Sequence, residues 1–297
     1  MGFRAKFAGF LAPLALVGCT TAQQPAATGA GPALWELSDA DTKIYLFGTI
    51  HALPQGQQWR TPVLEQAIAE ADELVIETVF GDDPKAQAES MLKLGTNKPN
   101  LPPLVERVPE DRRDELRKLI AAGGVPEAAL DKMETWVAVL TLSAASYKAI
   151  GLSAEQGVEH GLSAAYKEKA RPISGLETVE EQMGFFDQLS EEAQRDLLIS
   201  ALDDPAAAKA EFDTMMATWA RGDVEGIART FDTEMKKSPE LRDTLMRNRN
   251  ARWAEWLDAR LDRPGTVLVA VGAGHLAGRD SVQEMLKARG LKTRRLQ

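Results

Sequence analysis

The stretch Lys43–Pro54, KIYLFGTIHALP, decides the fold that we predict for this chain. Its residues 44–47 are apolar without interruption, which is typical of a strand covered on both faces rather than half exposed to solvent. Gly48 follows this run, and because glycine accepts positive φ and lets other groups come close, we predict a turn here. The turn would carry His51 outward from the carboxyl end of the strand.

The same pattern occurs again near the other end of the chain. The apolar run Thr266–Val271, TVLVAV, precedes Gly272–His275, GAGH, so two strand-Gly-x-x-His units hold two of the three histidines. A single histidine after a strand is more often structural than a ligand, but a repeated unit favours a shared site. Sites in open α/β sheets form beyond the carboxyl ends of the strands, so we expect both imidazoles in one crevice. Gly48 and Gly272 would let a bound group approach the backbone there.

A third β-type run, Leu74–Val79, contains a carboxylate. Glu77 interrupts its apolar pattern, and burying an unpaired carboxylate in a strand costs several kcal/mol. Glu77 therefore either lies past the buried section and faces water, or has a specific partner. With His51 and His275 it would complete a His-His-carboxylate set, which suits a catalytic divalent metal such as manganese, cobalt, iron or zinc.

Five motifs occur in one order along the chain. They are LFGTIHALP, EADELVIET at Glu70–Thr78, GLETVEEQ at Gly175–Gln182, RNARWAEWL at Arg249–Leu257 and VLVAVGAGHLAG at Val267–Gly278. Together they resemble the TraB/GumN family, whose relatives include the Tiki metalloproteases, from about Leu34 to the end of the chain. The resemblance implies a metal-dependent hydrolase built around two Gly-x-x-His motifs and an acidic residue.

The resemblance also implies roles for three further side chains. Glu177 matches the acid of the family's Gly-Leu-Glu-Thr motif, and Arg249 with Asn250 matches its Arg-Asn motif on a helix. Arg249 would hold a carboxylate or stabilise a developing oxyanion. The alternatives are an ordinary acid at a helix start for Glu177 and an exposed helix surface for Arg249.

The composition is that of an acidic globular protein. The chain has 297 residues, of which 44% are hydrophobic and 27% charged, enough for one large domain or two modest ones. Its formal net charge of −9 argues against a nucleic-acid partner. Phosphate-loop, zinc-ribbon, zincin and serine-hydrolase motifs do not occur in the sequence.

Residues 1–18 have the order of a bacterial lipoprotein signal peptide. Two basic residues precede an apolar run from Phe7 to Val17 that is too short to span a bilayer. Leu16–Cys19, LVGC, resembles a lipobox, in which cleavage leaves Cys19 lipidated; an ordinary signal peptide with a chance cysteine is the alternative. Residues 19–32 are small and polar with proline and glycine, which predicts a flexible tether. We expect a lipid-anchored protein of the bacterial envelope, at the outer membrane facing the periplasm because Thr20 follows the cysteine.

For residues 33–297 we predict one α/β domain, with α+β as the alternative. A central mixed sheet of about five or six strands would carry the site, and a strand at Ala33–Leu37 would form a hairpin with Lys43–Gly48. Helix start signals recur between about residues 82 and 260, among them the capping box Thr178-x-x-Glu181, which predicts a large helical section.

Two functions are open from the sequence. The first, which the resemblance implies, is a metal-dependent hydrolase, for example a peptidase, in which His51, His275 and Glu77 hold a metal and its activated water. Its substrate would be a peptide or a small molecule. The second is a non-catalytic lipoprotein that uses the same crevice to bind a ligand, a metal or haem, or to regulate a partner. A general base and an oxyanion donor beside the metal position would distinguish the first from the second.

Overall fold

The computed structural model describes residues 31–81, 84–96, 100–202, 205–235 and 238–297. The predicted signal peptide, Cys19 and most of the predicted tether lie outside these ranges. Among the described residues, no helix is both long enough and apolar enough to cross a membrane.

The described residues form eight strands in two sheets. The strands are β1 (Leu34–Ser38), β2 (Thr42–Thr49), β3 (Leu53–Pro54), β4 (Glu73–Thr78), β5 (Leu152–Ser153), β6 (Ile173–Glu177), β7 (Gly265–Gly272) and β8 (Arg294–Arg295). The main sheet has the order β6-β4-β7-β2-β1-β8, and β3 pairs only with β5. Strands β6, β4, β7 and β2 are parallel, whereas β1 is antiparallel to both of its neighbours. The predicted α/β fold with a mixed sheet of five or six strands is confirmed.

Most of the chain between β4 and β7 is helical, as predicted. The α-helices of the described residues are α1 (Pro62–Glu70), α2 (Pro84–Leu94), α3 (Arg113–Gly123), α4 (Glu127–Leu130), α5 (Thr135–Ala149), α6 (Val158–Glu168), α7 (Val179–Asp187), α8 (Glu191–Ser200), α9 (Pro205–Ala220), α10 (Val224–Met235), α11 (Pro239–Arg242), α12 (Asn248–Leu261) and α13 (Val282–Ala288). A π-helical segment, Asp243–Arg247, leads directly into α12. The predicted capping box is present, because Thr178 and Glu181 bond to each other's backbone N–H at the start of α7.

Two apolar cores cover the two faces of the main sheet. On the central strand β7, Leu268 and Ala270 belong to one core, and Val269 and Val271 belong to the other. The first core also contains buried residues of α1, α6, α9 and α10, and the second contains those of α12 and α13. Both faces are therefore covered, as the unbroken apolar runs of β2 and β7 indicate. A third core lies within the helical section and joins α3, α5 and α8.

The prediction of a turn at Gly48 is wrong. Strand β2 continues through Gly48 to Thr49 and pairs with β7 over that length. Gly48 serves close packing instead, because a Cβ atom there would lie 3.2 Å from the Cα atom of Ala273. Its carbonyl oxygen accepts a hydrogen bond from the indole Nε1 of Trp219 at 2.8 Å. Gly48 thus packs the two Gly-x-x-His segments together and does not face the site.

The central strands carry the core, so a cavity there should be costly. Leu46 of β2 is 1% exposed, and Leu46→Ala should lower the free energy of unfolding by about 2–5 kcal/mol. Leu92→Ala is the matched control, since Leu92 of α2 is 38% exposed, and its effect should stay within about 0.5 kcal/mol. Urea unfolding followed by circular dichroism measures both. Equal small losses would contradict this assignment of the core.

Candidate functional site

Three adjacent strands deliver the predicted site residues to one edge of the sheet. Strands β4, β7 and β2 are neighbours and parallel, so their carboxyl ends meet. Glu77 lies near the end of β4, His275 in a 3₁₀ turn after β7, and His51 two residues after β2. The Nε2 atoms of both imidazoles lie 3.9 Å from the same Oε1 atom of Glu77. The structure therefore brings together three side chains from distant parts of the chain.

Glu77 is buried, and each of its carboxylate oxygens has its own partners. Oε1 accepts a hydrogen bond from the backbone N–H of Gly272 at 2.7 Å. Oε2 accepts from Nη2 of Arg249 at 2.7 Å and from the side-chain amide of Gln182 at 3.3 Å. Burial alone would raise the pKa of Glu77, but the two imidazoles, the guanidinium and the Gly272 N–H outweigh burial and lower the pKa. Glu77 is consequently an ionised, immobilised carboxylate at neutral pH.

His275 is buried and neutral, and Asn250 selects its tautomer. The Asn250 amino group donates to the carbonyl oxygens of Asp280, at 2.7 Å, and His275, at 3.4 Å, which directs the amide oxygen toward the ring. That oxygen lies 2.5 Å from Nδ1 of His275, and because it can only accept, the proton is on Nδ1. Burial lowers the pKa of His275 to about 3. Its Nε2 therefore offers a lone pair, which at present accepts from Nη1 of Arg249 at 3.3 Å.

His51 differs from His275 in exposure and in charge. Its side chain is 66% exposed, and its Nδ1 lies 2.7 Å from a carboxylate oxygen of Glu159. The negative charge of Glu159 raises the pKa of His51 to about 9, and that of Glu77 adds to this shift. His51 is thus cationic at neutral pH in this structure, and any cation that binds its ring must displace a proton.

Arg249 and Glu177 form a buried ion pair behind the three donors. The guanidinium is 8% exposed and donates through Nε and Nη2 to Glu177, at 2.7–3.1 Å. Trp253 donates its indole N–H to Glu177 at 3.1 Å, and its ring lies 4.7 Å from the guanidinium and 4.4 Å from the His275 ring. Arg249 lies inside the crevice, as the family motif implies, and Glu177 balances its charge rather than facing the imidazoles.

Gly272 leaves a space between the three donors. A Cβ atom built on Gly272 would lie 3.2 Å from Oε1 of Glu77, 3.4 Å from Nε2 of His51 and 3.6 Å from Cδ2 of His275. The backbone of Gly272 has φ −49°, which every residue adopts, so a side chain here would be resisted by the nearby donors and not by the backbone conformation. Of the two glycines predicted to border a bound group, only Gly272 lies at the donors.

The three donors are of the chemical types that bind a divalent cation, although their present spacing is not that of a filled site. Two imidazole nitrogens and a carboxylate oxygen suit manganese, iron, cobalt or zinc, and the Nδ1 atom of each imidazole is held by an oxygen, as metal-ligating histidines require. The spacing is wider than in a filled site, because donors bound at about 2.0–2.2 Å lie about 3 Å apart. Within the described residues, no group of three or more His, Cys, Asp or Glu side chains is close enough to hold a metal ion. Binding would require both rings to move toward Glu77.

Glu159 was not predicted from the sequence. An acid in the first turn of a helix is ordinary dipole chemistry, and Glu159 occupies that position in α6. The neighbouring His160 is exposed in the structure and does not take part in this contact. Only the tertiary fold brings this turn of α6 to His51.

Comparisons with known proteins show which family the chain belongs to. The sequence model of the TraB/PrgY/gumN family matches residues 33–295. The chain belongs to this family. It is 27% identical over 250 residues to the uncharacterized protein YbaP of Escherichia coli (strain K12), and the alignment covers 82% of this chain and 87% of that protein. YbaP of Shigella flexneri is 28% identical with the same coverage. No solved structure matches the chain.

The buried ion network predicts that the stability of the fold depends strongly on Arg249. Arg249→Met would remove the buried cation that bonds to both Glu77 and Glu177, and should lower the free energy of unfolding by about 3–5 kcal/mol. Arg249→Lys should recover only part of this loss, since an ammonium group cannot supply the planar fork of donors. Chemical denaturation at pH 7 measures both effects.

The matched control for this pair of variants is Arg247→Met. Arg247 lies one residue before α12, is 61% exposed, and has a single weak pair with Asp243 at 3.8 Å. Its substitution should change stability by no more than about 0.5 kcal/mol. Wild-type stability in Arg249→Lys would show that the fork of hydrogen bonds is not needed.

Proposed function

We propose that the protein is a metal-dependent hydrolase and that His51, Glu77 and His275 form its metal centre. One observation carries this proposal: both imidazoles turn Nε2 toward the same carboxylate oxygen while a second oxygen holds each Nδ1. A divalent ion bound by these donors would supply Lewis acidity and an activated water for hydrolysis. The resemblance to the Tiki metalloproteases makes a peptide or another amide the first substrate class to test.

The chain's own residues would supply the position, charge and tautomer of the donors. Gly272 and Arg249 hold the two oxygens of Glu77, so the carboxylate needs no rearrangement during the reaction. Glu159 holds Nδ1 of His51, and its exposed ring would give up the Nε2 proton to solvent before that nitrogen binds the ion. Asn250 fixes the tautomer of His275. In this proposal Arg249, Asn250 and Glu177 act through the donors and do not touch the reacting atoms.

The second candidate is a non-catalytic binding or regulatory protein, and the position of Arg249 favours it. The guanidinium bonds to Nε2 of His275, which is one of the three proposed donor atoms, and to Oε2 of Glu77, the oxygen beside another, so it already supplies a positive charge at this position. The cluster would then be a structural ion network, and the crevice would bind a ligand, a metal or haem, or serve a partner protein.

Elemental analysis tests whether the protein binds a metal ion at this site. The purified protein, dialysed against manganese, cobalt or zinc, should retain about one ion per chain. The His51→Ala, His275→Ala double variant should retain none, and its circular dichroism spectrum checks that the fold tolerates the loss of the buried His275 ring beside Trp253. Gly272→Ala should also lose the ion, since the new methyl group fills the space between the donors.

Gly184→Ala is the matched control for the glycine variant. Its Cβ atom would meet only the side-chain amide of Gln188, at 3.5 Å, so the bound metal should be unchanged. An ion retained by the double variant would overturn the metal centre. With the ion established, hydrolysis of peptide, amide or ester substrates that disappears in the double variant supports the hydrolase, and a bound ion without hydrolysis supports the second candidate.

We also propose that the protein is anchored to the envelope through a lipidated Cys19, on the basis of the lipobox-like LVGC. Cys19→Ala should release the protein from the membrane fraction, because the lipid is attached to that sulfur and amine. Cell fractionation and intact-mass measurement of the mature protein check this. An unmodified Cys19, or unchanged membrane association in the variant, would exclude the anchor.

A further inference from the structure

The turn that carries His51 meets the start of α6 at several points. The backbone N–H of Val158 donates to the carbonyl oxygen of Ile50 at 3.1 Å. One residue later, the Glu159 carboxylate bonds to Nδ1 of His51 at 2.7 Å, and the hydroxyl of Thr49 donates to the same carboxylate oxygen. Backbone and side chains therefore join the end of β2 to a helix that lies over a hundred residues away in the chain.

Gly157 allows this close approach. A Cβ atom at Gly157 would lie 2.1 Å from the carbonyl oxygen of His51 and 2.9 Å from that of Ala154, so any side chain would displace the turn. The φ of Gly157 is −58°, which every residue adopts, and the requirement for glycine is one of space. The backbone of the His51 turn and that of residue 157 are in direct contact.

These contacts fix the orientation of the His51 ring, which packing against other side chains does not fix. The ring is 66% exposed, so packing does not hold it, and its two nitrogens would be equivalent to solvent. Glu159 is only 18% exposed and receives the Thr49 hydroxyl, so its carboxylate has a defined position. A carboxylate that accepts from Nδ1 keeps a proton there and aims Nε2 at Glu77.

We propose that Thr49, Gly157 and Glu159 form a clasp that orients His51, and that Glu159 is a positioning residue of the site. Through this clasp the helical section contributes to a site whose three donors all come from the sheet. The existence of the clasp is independent of the proposed metal centre, whereas its effect on ion affinity rests on that proposal. The two are therefore tested separately.

The first experiment uses nuclear magnetic resonance of the full-length, metal-free protein. With three histidines in the chain, the Nδ1 proton of His51 should be assignable and shifted downfield by its hydrogen bond to Glu159. Glu159→Ala should remove this signal, and Glu159→Gln should keep it, because the glutamine amide oxygen still accepts. Glu168→Ala, an exposed acid on the same helix, should leave it unchanged. A signal that persists in Glu159→Ala overturns the clasp.

The second experiment measures Co²⁺ affinity by visible absorption. Glu159→Ala should weaken binding by about 10- to 100-fold, the usual effect of losing the group that orients a ligating histidine. Glu159→Gln should restore most of the affinity, and Gly157→Ala should weaken it although every ligand is intact. Gly184→Ala serves again as the control. Wild-type affinity in both Glu159→Ala and Gly157→Ala overturns the clasp and leaves the metal centre standing.

The two failures are distinguishable. Wild-type protein that binds no Co²⁺ refutes the metal centre, and the resonance of His51 still decides the clasp. If the protein binds Co²⁺ but the Nδ1 proton signal of His51 is the same in Glu159→Ala as in the wild type, the clasp alone is refuted. If Gly157→Ala is destabilised, the clasp is still tested by comparing Glu159→Ala with Glu159→Gln. These two substitutions change only a side chain and leave the backbone unchanged.

Discussion

The structure depends on the burial of the Glu77 carboxylate at the end of a strand in a sheet covered on both faces. An unpaired charge in this position would cost several kcal/mol, so the fold has to compensate it with donors of fixed geometry. Gly272 supplies one from the neighbouring strand and Arg249 supplies another from α12. Arg249 in turn brings a second positive charge into the interior, which Glu177 and the Trp253 indole balance. One buried charge therefore determines which residues must surround it on three elements.

The two histidines share a motif but not an environment. His275 has a neutral amide partner and a buried ring, so it keeps one tautomer and one charge state over the range in which most proteins are stable. His51 has an anionic partner and an exposed ring, so it exchanges its proton with solvent. The two imidazoles therefore differ in charge and in exposure, which their symmetrical sequence motifs do not indicate.

Much of this arrangement follows from the sequence, for identifiable reasons. Apolar runs ending in Gly-x-x-His locate strand ends, and an acid that breaks such a run, as Glu77 does, indicates a buried partner. The family motif indicated that Arg249 turns inward. Local sequence did not predict where β2 ends, because pairing with another strand determines its length. Gly48 indicated a turn, but pairing with β7 extends β2 past it. Local sequence failed again for Glu159, because a first-turn acid is common and only tertiary packing brings it to His51.

Strand β7 has a particular place in the sheet and in the chain. It lies between β2 and β4 in the sheet but follows both of them, and nearly the whole helical section, in the chain. No strand pairing joins β4 to β2 directly, so β7 connects the two parts of the sheet through contacts between residues far apart in the chain, which are the contacts that cost the most loop-closure entropy. Glu77 at the end of β4 and His51 after β2 reach one edge of the sheet because β7 pairs with both strands. A chain that ends before β7 therefore lacks His275 and the strand that joins Glu77 to the His51 turn, so the cluster belongs to the complete sheet and to no shorter segment.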